Sequence, residues 1–325
     1  MNLEAPPLLA ADLAAALERI ATLQKFPHPD NPRDVKGTRL WFEGQARLIA
    51  QLTPRYDVHV REQELSDESL MVTARIYRPS VQKSRVLFVH GGGWALGSLD
   101  THDSLCRWLC SQSCSEVIAL DYDLAPEQPF PRAVDQTLSG LRSVLAMSTK
   151  DGLPLLVMGD SAGADIASLA ILRADIHEVA RICGFVSAYG AFEPRLDRPS
   201  HQRFADGPFL RRAEMEVYWG FFAGQLKGSA CRQMTPLDCD LGDFPATLCL
   251  AMECDLLRDD SLALHEKILG DGGVSTIEYW RGMSHGCLHF VGIVASVTHA
   301  AESILRFIAM NSASPKLGEA GSGSS

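Results

Sequence analysis

The segment Gly159-Asp160-Ser161-Ala162-Gly163 follows a short apolar run, Leu155–Met158, and precedes a helical stretch, Ala164–Arg173. A serine on a sharp strand-to-helix turn is held in strained backbone angles that expose its hydroxyl. Glycines on either side let the neighbouring elements approach closely. The helix that starts here turns its positive end toward the serine and favours developing negative charge. In that setting Ser161 reads as a nucleophile, with a plain turn serine as the alternative. A second glycine-rich segment, His90-Gly91-Gly92-Gly93-Trp94, comes directly after the run Arg85–Val89. Its glycines free backbone N–H groups to face an oxyanion, with the N–H of Ala162 as a further donor. A phosphate loop is the competing reading, but no P-loop lysine follows and the G-x-G-x-x-G spacing is absent. His90 is expected to brace this loop rather than act as a base.

A serine hydroxyl needs a base to attack at neutral pH. Ten histidines compete. His285, in Gly282-Met283-Ser284-His285-Gly286, falls just after the last expected strand, where a loop reaches the carboxyl edge of a sheet. His59 and His102 lack such a position, and His289 is expected to be packed inside the final helix. The base in turn needs an acid to fix its tautomer. Asp255 ends the penultimate strand; its rivals Asp259 and Asp260 read better as charges at a helix N-terminus.

These residues must be held by elements, and the apolar pattern supplies them. The runs Arg85–Val89, Val117–Asp121, Leu155–Met158, Cys183–Ala188, Ala246–Met252 and Ser275–Tyr279 alternate with helical stretches. That alternation predicts an α/β fold with a mostly parallel sheet covered on both faces. Val58 and Val60, then Met71–Tyr77, read as two strands joined by a polar turn at residues 66–68. Leu9, Leu13, Leu17 and Ile20 recur at helical spacing, and a second helical stretch runs from about Thr38 to Leu52. The segment Phe209–Leu226 interrupts the alternation and reads as one helix. With the N-terminal helices it is expected to cap the sheet's carboxyl edge; an ordinary core helix is the alternative.

The chain has 325 residues, 46% of them apolar and 22% charged, which is ordinary globular usage. The formal charge of −10 disfavours nucleic acid and anionic lipid as partners. No apolar run approaches the ~18 residues that span a bilayer. The N-terminus lacks the pattern of a signal peptide. A cytoplasmic location is therefore expected. The nine cysteines fit buried thiols in a reducing compartment. Cys106, Cys110 and Cys114 are four apart and read as a small apolar helix face rather than a metal site. The Gly/Ser-rich tail, residues 316–325, is expected to be flexible.

Several motifs together resemble the hormone-sensitive-lipase-like family of α/β-hydrolase esterases, over roughly residues 70–310. They are His90-Gly-Gly-Gly-Trp94, Asp121-Tyr-Asp-Leu-Ala-Pro-Glu127, Gly159-Asp-Ser-Ala-Gly163, Asp255-Leu-Leu-Arg-Asp259 and Met283-Ser-His-Gly286. The resemblance implies an α/β-hydrolase fold with a catalytic domain over 51–315. It implies a cap from residues 1–50 and an insert at about 195–230. It carries the triad onto Ser161, Asp255 and His285, and the oxyanion donors onto Gly91, Gly92, Gly93 and Ala162. A substrate pocket is expected around Trp94, Asp160, Phe209, Trp219, Leu256 and Cys287.

The implied activity is cofactor-free, metal-free hydrolysis of short-chain carboxylic esters through an acyl-enzyme. An amidase or arylformamidase on the same triad is the alternative. Homodimers through the last strand and helix are common in such families, and that option extends here to Ser275–Tyr279 and about Val291–Met310. Three residues depart from the family pattern: Asp123 replaces an arginine, Ala164 a glycine, and Cys287 a phenylalanine.

Overall fold

A computed structural model describes residues 7–25, 27–67 and 70–313. The expected tail at 316–325, the first six residues of the expected cap and Glu68 of the expected turn lie outside them. Two helices come first, α1 (Ala11–Leu23) and α2 (Val35–Leu52), then a hairpin of β1 (His59–Ser66) and β2 (Met71–Arg78). The alternation follows as β3 (Ser84–Val89), α3 (Asp103–Ser113), β4 (Ser115–Asp121), α4 (Arg132–Asp151), β5 (Leu155–Asp160), α5 (Ala162–Arg173), the single turn α6 (Ile176–Val179) and β6 (Ile182–Ala188). Next come α7 (Pro199–Arg203), α8 (Arg212–Ala223), β7 (Thr247–Cys254), α9 (Arg258–Gly270), β8 (Ser275–Ser284) and α10 (Ala295–Ser312). Each apolar run of the sequence is a strand.

The strands form one sheet in the order β1-β2-β4-β3-β5-β6-β7-β8. β2 runs antiparallel to β1 and β4, and every later pairing is parallel. Side chains alternate across the strands, so both faces need apolar cover. Leu87 and Val89 of β3 face a core shared with Val144 of α4, Ile166 of α5 and Leu264 of α9. Val86 and Phe88 face the other, shared with Leu109 of α3, Ile304 of α10 and Leu13 of α1. The chain reverses its direction of travel across the sheet between β3 and β5. In open α/β sheets ligands bind outside the carboxyl ends at such a point.

α8 is shorter than the sequence predicts. Phe209 has a φ of 77°, which breaks the helix ahead of it, and the Glu214 carboxylate accepts the Arg211 N–H at 2.7 Å and starts α8 there. The N-terminal helices are tied down by polar contacts. Asp12 accepts the N–H and hydroxyl of Ser296 at 2.9 and 2.6 Å. Arg39 of α2 makes two bonds of 2.8 Å to Glu127 and donates to Ala95 O at 2.8 Å. Arg39 thus ties Glu127 to Ala95, the residue that follows Trp94.

The amino end of β3 holds a buried ion cluster. Arg85, 1% exposed, donates to Glu116 at 2.6 Å and Asp151 at 2.8 Å, and Arg78 meets the same Glu116 at 2.7 Å. Removing Glu116 takes from the buried Arg85 its closest and only fully buried carboxylate and leaves it the half-exposed Asp151; breaking such a buried pair costs about 3–5 kcal/mol. Glu116→Ala is therefore expected to lower the urea-unfolding free energy by about that amount. A loss below about 1 kcal/mol, the range of an exposed pair, would contradict the burial argument.

Candidate active site

Strand pairing brings the two glycine-rich segments together. Val89, the last residue of β3, pairs with Gly159 of β5, so His90-Gly91 and Asp160-Ser161 leave the sheet side by side. Ser161 has a φ of 52°, a left-handed angle unusual for a residue with a side chain. Its N–H donates to Ala188 O at 2.8 Å and its carbonyl accepts from Ala164 N at 3.0 Å. The turn closes this tightly only without side chains. A Cβ on Gly163 would lie 2.1 Å from Val89 O, and one on Gly159 would lie 2.5 Å from Gly163 O.

The other two candidate residues arrive the same way. β7 and β8 shift register near their ends, and Cys254 pairs with Ser284. Asp255 and His285 are the next residues on each strand. Asp255 Oδ2 lies 3.0 Å from His285 Nδ1, and His285 Nε2 lies 2.9 Å from Ser161 Oγ. Asp255 Oδ1 accepts the Leu257 N–H at 2.9 Å, which fixes the carboxylate's rotation. With Nδ1–H donating to Asp255, Nε2 is left to accept from the serine hydroxyl. The edge of Tyr189 packs on the imidazole, ring centres 4.9 Å apart.

The oxyanion loop differs from expectation at one donor. Gly91 N–H donates to Asp160 Oδ1 at 2.8 Å and is spent. The N–H groups of Gly92, Gly93 and Ala162 have no acceptor among the described residues, and Gly92 and Gly93 line the cavity over Ser161. His90 holds the loop from below. Its Nδ1–H donates to Gly91 O at 2.8 Å, and its ring stacks on Tyr122 at 4.3 Å. The Tyr122 hydroxyl donates to His90 O at 2.7 Å.

Asp160 is therefore a brace as well as a cavity residue. Burial works to raise its pKa, but the neighbouring His102 and the Gly91 N–H outweigh it and bring the carboxyl down to about 2. His102 Nε2 lies 3.5 Å from Asp160 Oδ1. His289 completes a buried cluster, its ligating atom within 4.8 Å of those of His102 and Asp160. These three have the donor types of a metal site, but Asp160 is already committed to the Gly91 N–H.

The cavity, a narrow space of about 50 Å³, lies over Ser161 and His285. Its remaining walls come from outside the sheet. The N-terminal segment gives His28, Trp41 and Phe42, and the segment between β6 and β7 gives Phe209, Leu210, Glu214, Met215 and Tyr218. His28 Nε2 meets Glu214 Oε1 at 2.8 Å and joins the two segments. Of the expected pocket residues, Asp160 and Phe209 line this space. Trp94, Trp219, Leu256 and Cys287 do not. Trp94 and Trp219 pack on one another at 4.1 Å and on Phe222, and the Trp94 indole N–H turns inward to Asp165. Leu256 is buried, with its carbonyl accepting from Ser200 Oγ at 2.7 Å. Cys287 points into the core, its sulfur 3.7 Å from that of Met252.

Other expectations shift too. His289 sits in a 3-10 turn, Cys287–Phe290, ahead of α10, and lines the cavity beside Phe209. Asp259 and Asp260 do fall in the first turn of α9, as expected; Asp260 is also fully buried and lies 2.6 Å from His201 Nε2, holding α7 to α9. Asp259 instead accepts the Ser200 N–H at 2.8 Å. Asp123 carries an inverted ion pair, with Arg132 at 2.6 Å. The Ala164 methyl fits against Gly190, where a side chain would meet it at 3.0 Å. Cys106 and Cys110 are buried on α3, while Cys114 caps its end in a left-handed conformation; burial pushes the Cys110 thiol up to about 12.

Fold and site together define an α/β hydrolase. The sequence pattern described as the alpha/beta hydrolase fold matches residues 86–289. The chain belongs to that family, in its hormone-sensitive-lipase-like branch. Among relatives, the carboxylesterase NlhH of Mycobacterium tuberculosis is 30% identical over 79% of this chain and 83% of its own. The ethyl acetate hydrolase of Pseudomonas putida is 29% identical over 88% of this chain and 94% of its own. The crystal structure of a hyperthermophilic esterase from the archaeon Pyrobaculum calidifontis superposes with a TM-score of 0.81 at 27% identity, covering 94% of this chain and 99% of that one.

His90 and His289 are both brought down to about 3, by burial first and then by the neighbouring His102. In the folded protein they stay neutral where the unfolded chain protonates, below ~6.5. Stability therefore falls as pH drops from ~6.5 toward 3, by up to about 1.4 kcal/mol per pH unit for each ring. Urea unfolding between pH 7 and 5 is expected to show a shallower slope for His289→Phe than for the wild type; equal slopes would refute the assignment.

Proposed function

We propose that this carboxylesterase works through a covalent acyl-enzyme on Ser161 and prefers short acyl chains. Ser161 Oγ attacks the ester carbonyl while His285 Nε2 takes the hydroxyl proton. The carbonyl oxygen becomes an oxyanion among the N–H groups of Gly92, Gly93 and Ala162. The C–O bond to the alcohol breaks, and His285 returns the proton to the leaving oxygen. Water, deprotonated by His285, then splits the acyl-enzyme and regenerates Ser161. Asp255 holds the imidazole in its tautomer and offsets its transient charge.

The observation that carries this reading is the unbroken run from Asp255 through His285 to Ser161, 3.0 and 2.9 Å, ending at a strained serine beside unpaired N–H donors. The relatives named carboxylesterase, ethyl acetate hydrolase and acetyl esterase support it. Ser161→Ala is expected to lower kcat by ~10⁴-fold or more on a nitrophenyl ester while leaving the unfolding midpoint nearly unchanged. Labelling by an organophosphonate at any other residue would sink the assignment.

The chain-length preference follows from the walls. In this reading the N-terminal segment and the insert form a cap, and Trp41, Phe42, Phe209, Leu210 and Met215 bound the cavity. Each methylene buried there gains ~0.8 kcal/mol until the wall is reached. Beyond it, overpacking costs ~1–3 kcal/mol. Across nitrophenyl esters from acetate to palmitate, kcat/KM is expected to peak between two and six carbons. A peak at twelve or more would point to an open acyl groove instead.

A further inference from the structure

Tyr218 lies one turn beyond Glu214 on α8, so the two share a face, and both line the cavity. The tyrosine ring packs flat on the oxyanion loop: a side chain on Gly93 would meet its Cδ2 at 2.4 Å and its Cγ at 2.7 Å. That packing needs only a ring, which phenylalanine would supply equally. The residue is 5% exposed, yet its hydroxyl has no hydrogen-bond partner among the described residues. The ring is buried but the hydroxyl oxygen is not sealed from solvent, so it is open to a partner in the cavity that Tyr218 lines. Nearby acceptors are spent. Glu214 Oε1 takes His28 Nε2 at 2.8 Å and Arg211 Nη2 at 2.9 Å, and Oε2 takes the Arg211 N–H at 2.7 Å. Burial, reinforced by the Glu214 charge, pushes the phenol well above its ordinary range, so it remains a donor. The walls around it are otherwise largely apolar: Trp41, Phe42, Leu96, Leu210 and Met215.

We infer that the Tyr218 hydroxyl donates a hydrogen bond to a neutral oxygen on the substrate, so that the site selects esters carrying an ether, carbonyl or hydroxyl oxygen on one limb over plain alkyl esters. The inference rests on the ester-hydrolysis reading above and names the substrate class of the same site. Its physical basis is that a site built to hydrogen-bond a substrate atom discriminates against the analogue lacking it, because its own polar group is left unpaired.

The test uses two isosteric pairs in which one methylene becomes an ether oxygen. On the acyl side they are nitrophenyl methoxyacetate and nitrophenyl butanoate; on the alcohol side, 2-methoxyethyl acetate and butyl acetate. The readout is the ratio of kcat/KM for the methoxy member to that for the alkyl member, in the wild type and in Tyr218→Phe. Intrinsic differences in ester reactivity cancel between the two proteins. The ratio is expected to fall about tenfold in the variant for one pair, the one whose oxygen reaches Tyr218. An unchanged ratio in both pairs would overturn the inference. Hydrolysis of the two alkyl esters by the wild type, lost in Ser161→Ala, tests the underlying reading separately.

Discussion

The contact between the first turn of α5 and the end of β3 governs the rest of the site. Val89 O stands where a side chain at Gly163 would be, 2.1 Å from its Cβ position. The helix can therefore begin directly over the neighbouring strand, with no connecting loop. That leaves Ser161 one position in which to turn the chain, at a φ of 52°. A left-handed angle at a residue with a side chain persists only where its surroundings over-determine it. Here the Ser161 N–H is held by Ala188 on one neighbouring strand, and the following helix is held against β3 on the other. The strain lies in the backbone, so the hydroxyl keeps its freedom to meet His285.

A single carboxylate links this turn to the loop that receives the oxyanion. Asp160 precedes the nucleophile and accepts the Gly91 N–H, so elbow and loop cannot move independently. A buried carboxylate is costly unless its oxygens are occupied. His102 stands on the far side of Asp160, and His90 and Tyr122 lock the loop's carbonyls. The polar groups under the site thus support one another in a network that reaches from α3 to β5.

The sheet and the three candidate catalytic residues were legible in the chain because they depend on local signals. Apolar runs marked the strands, and Ser161, Asp255 and His285 each stood just beyond the end of one. The cavity walls were not legible. Trp94 and Trp219 look like pocket residues on size alone, but which face of an aromatic meets solvent depends on tertiary packing, and these two chose each other. His102 carried no motif signal, since its importance comes from Asp160, 58 positions away in sequence and 3.5 Å away in space. Gly91 was counted as a donor because three adjacent glycines look equivalent in sequence, and only the Asp160 contact separates the first from the others. Asp260 does lie in the first turn of α9, but its burial was not legible, for a similar reason. A carboxylate in the first turn of a helix usually faces water, and nothing local announces that His201 will cover it.

The three groups of the proposed relay do not share one neighbourhood of the sheet. Ser161 follows a strand with partners on both sides, whereas His285 follows β8, an edge strand that among the described residues pairs with β7 alone. Protein segments open with free energies that range from near zero at lightly held elements to the global value in the core. An edge strand with exposed Val274 and Tyr279 near its start belongs toward the lower end of that scale. Any fraying starts at that exposed end, away from His285, because Met283, Ser284 and His285 at the other end of β8 are buried. The imidazole is thus carried by the sheet's rim but anchored at the rim's sheltered end.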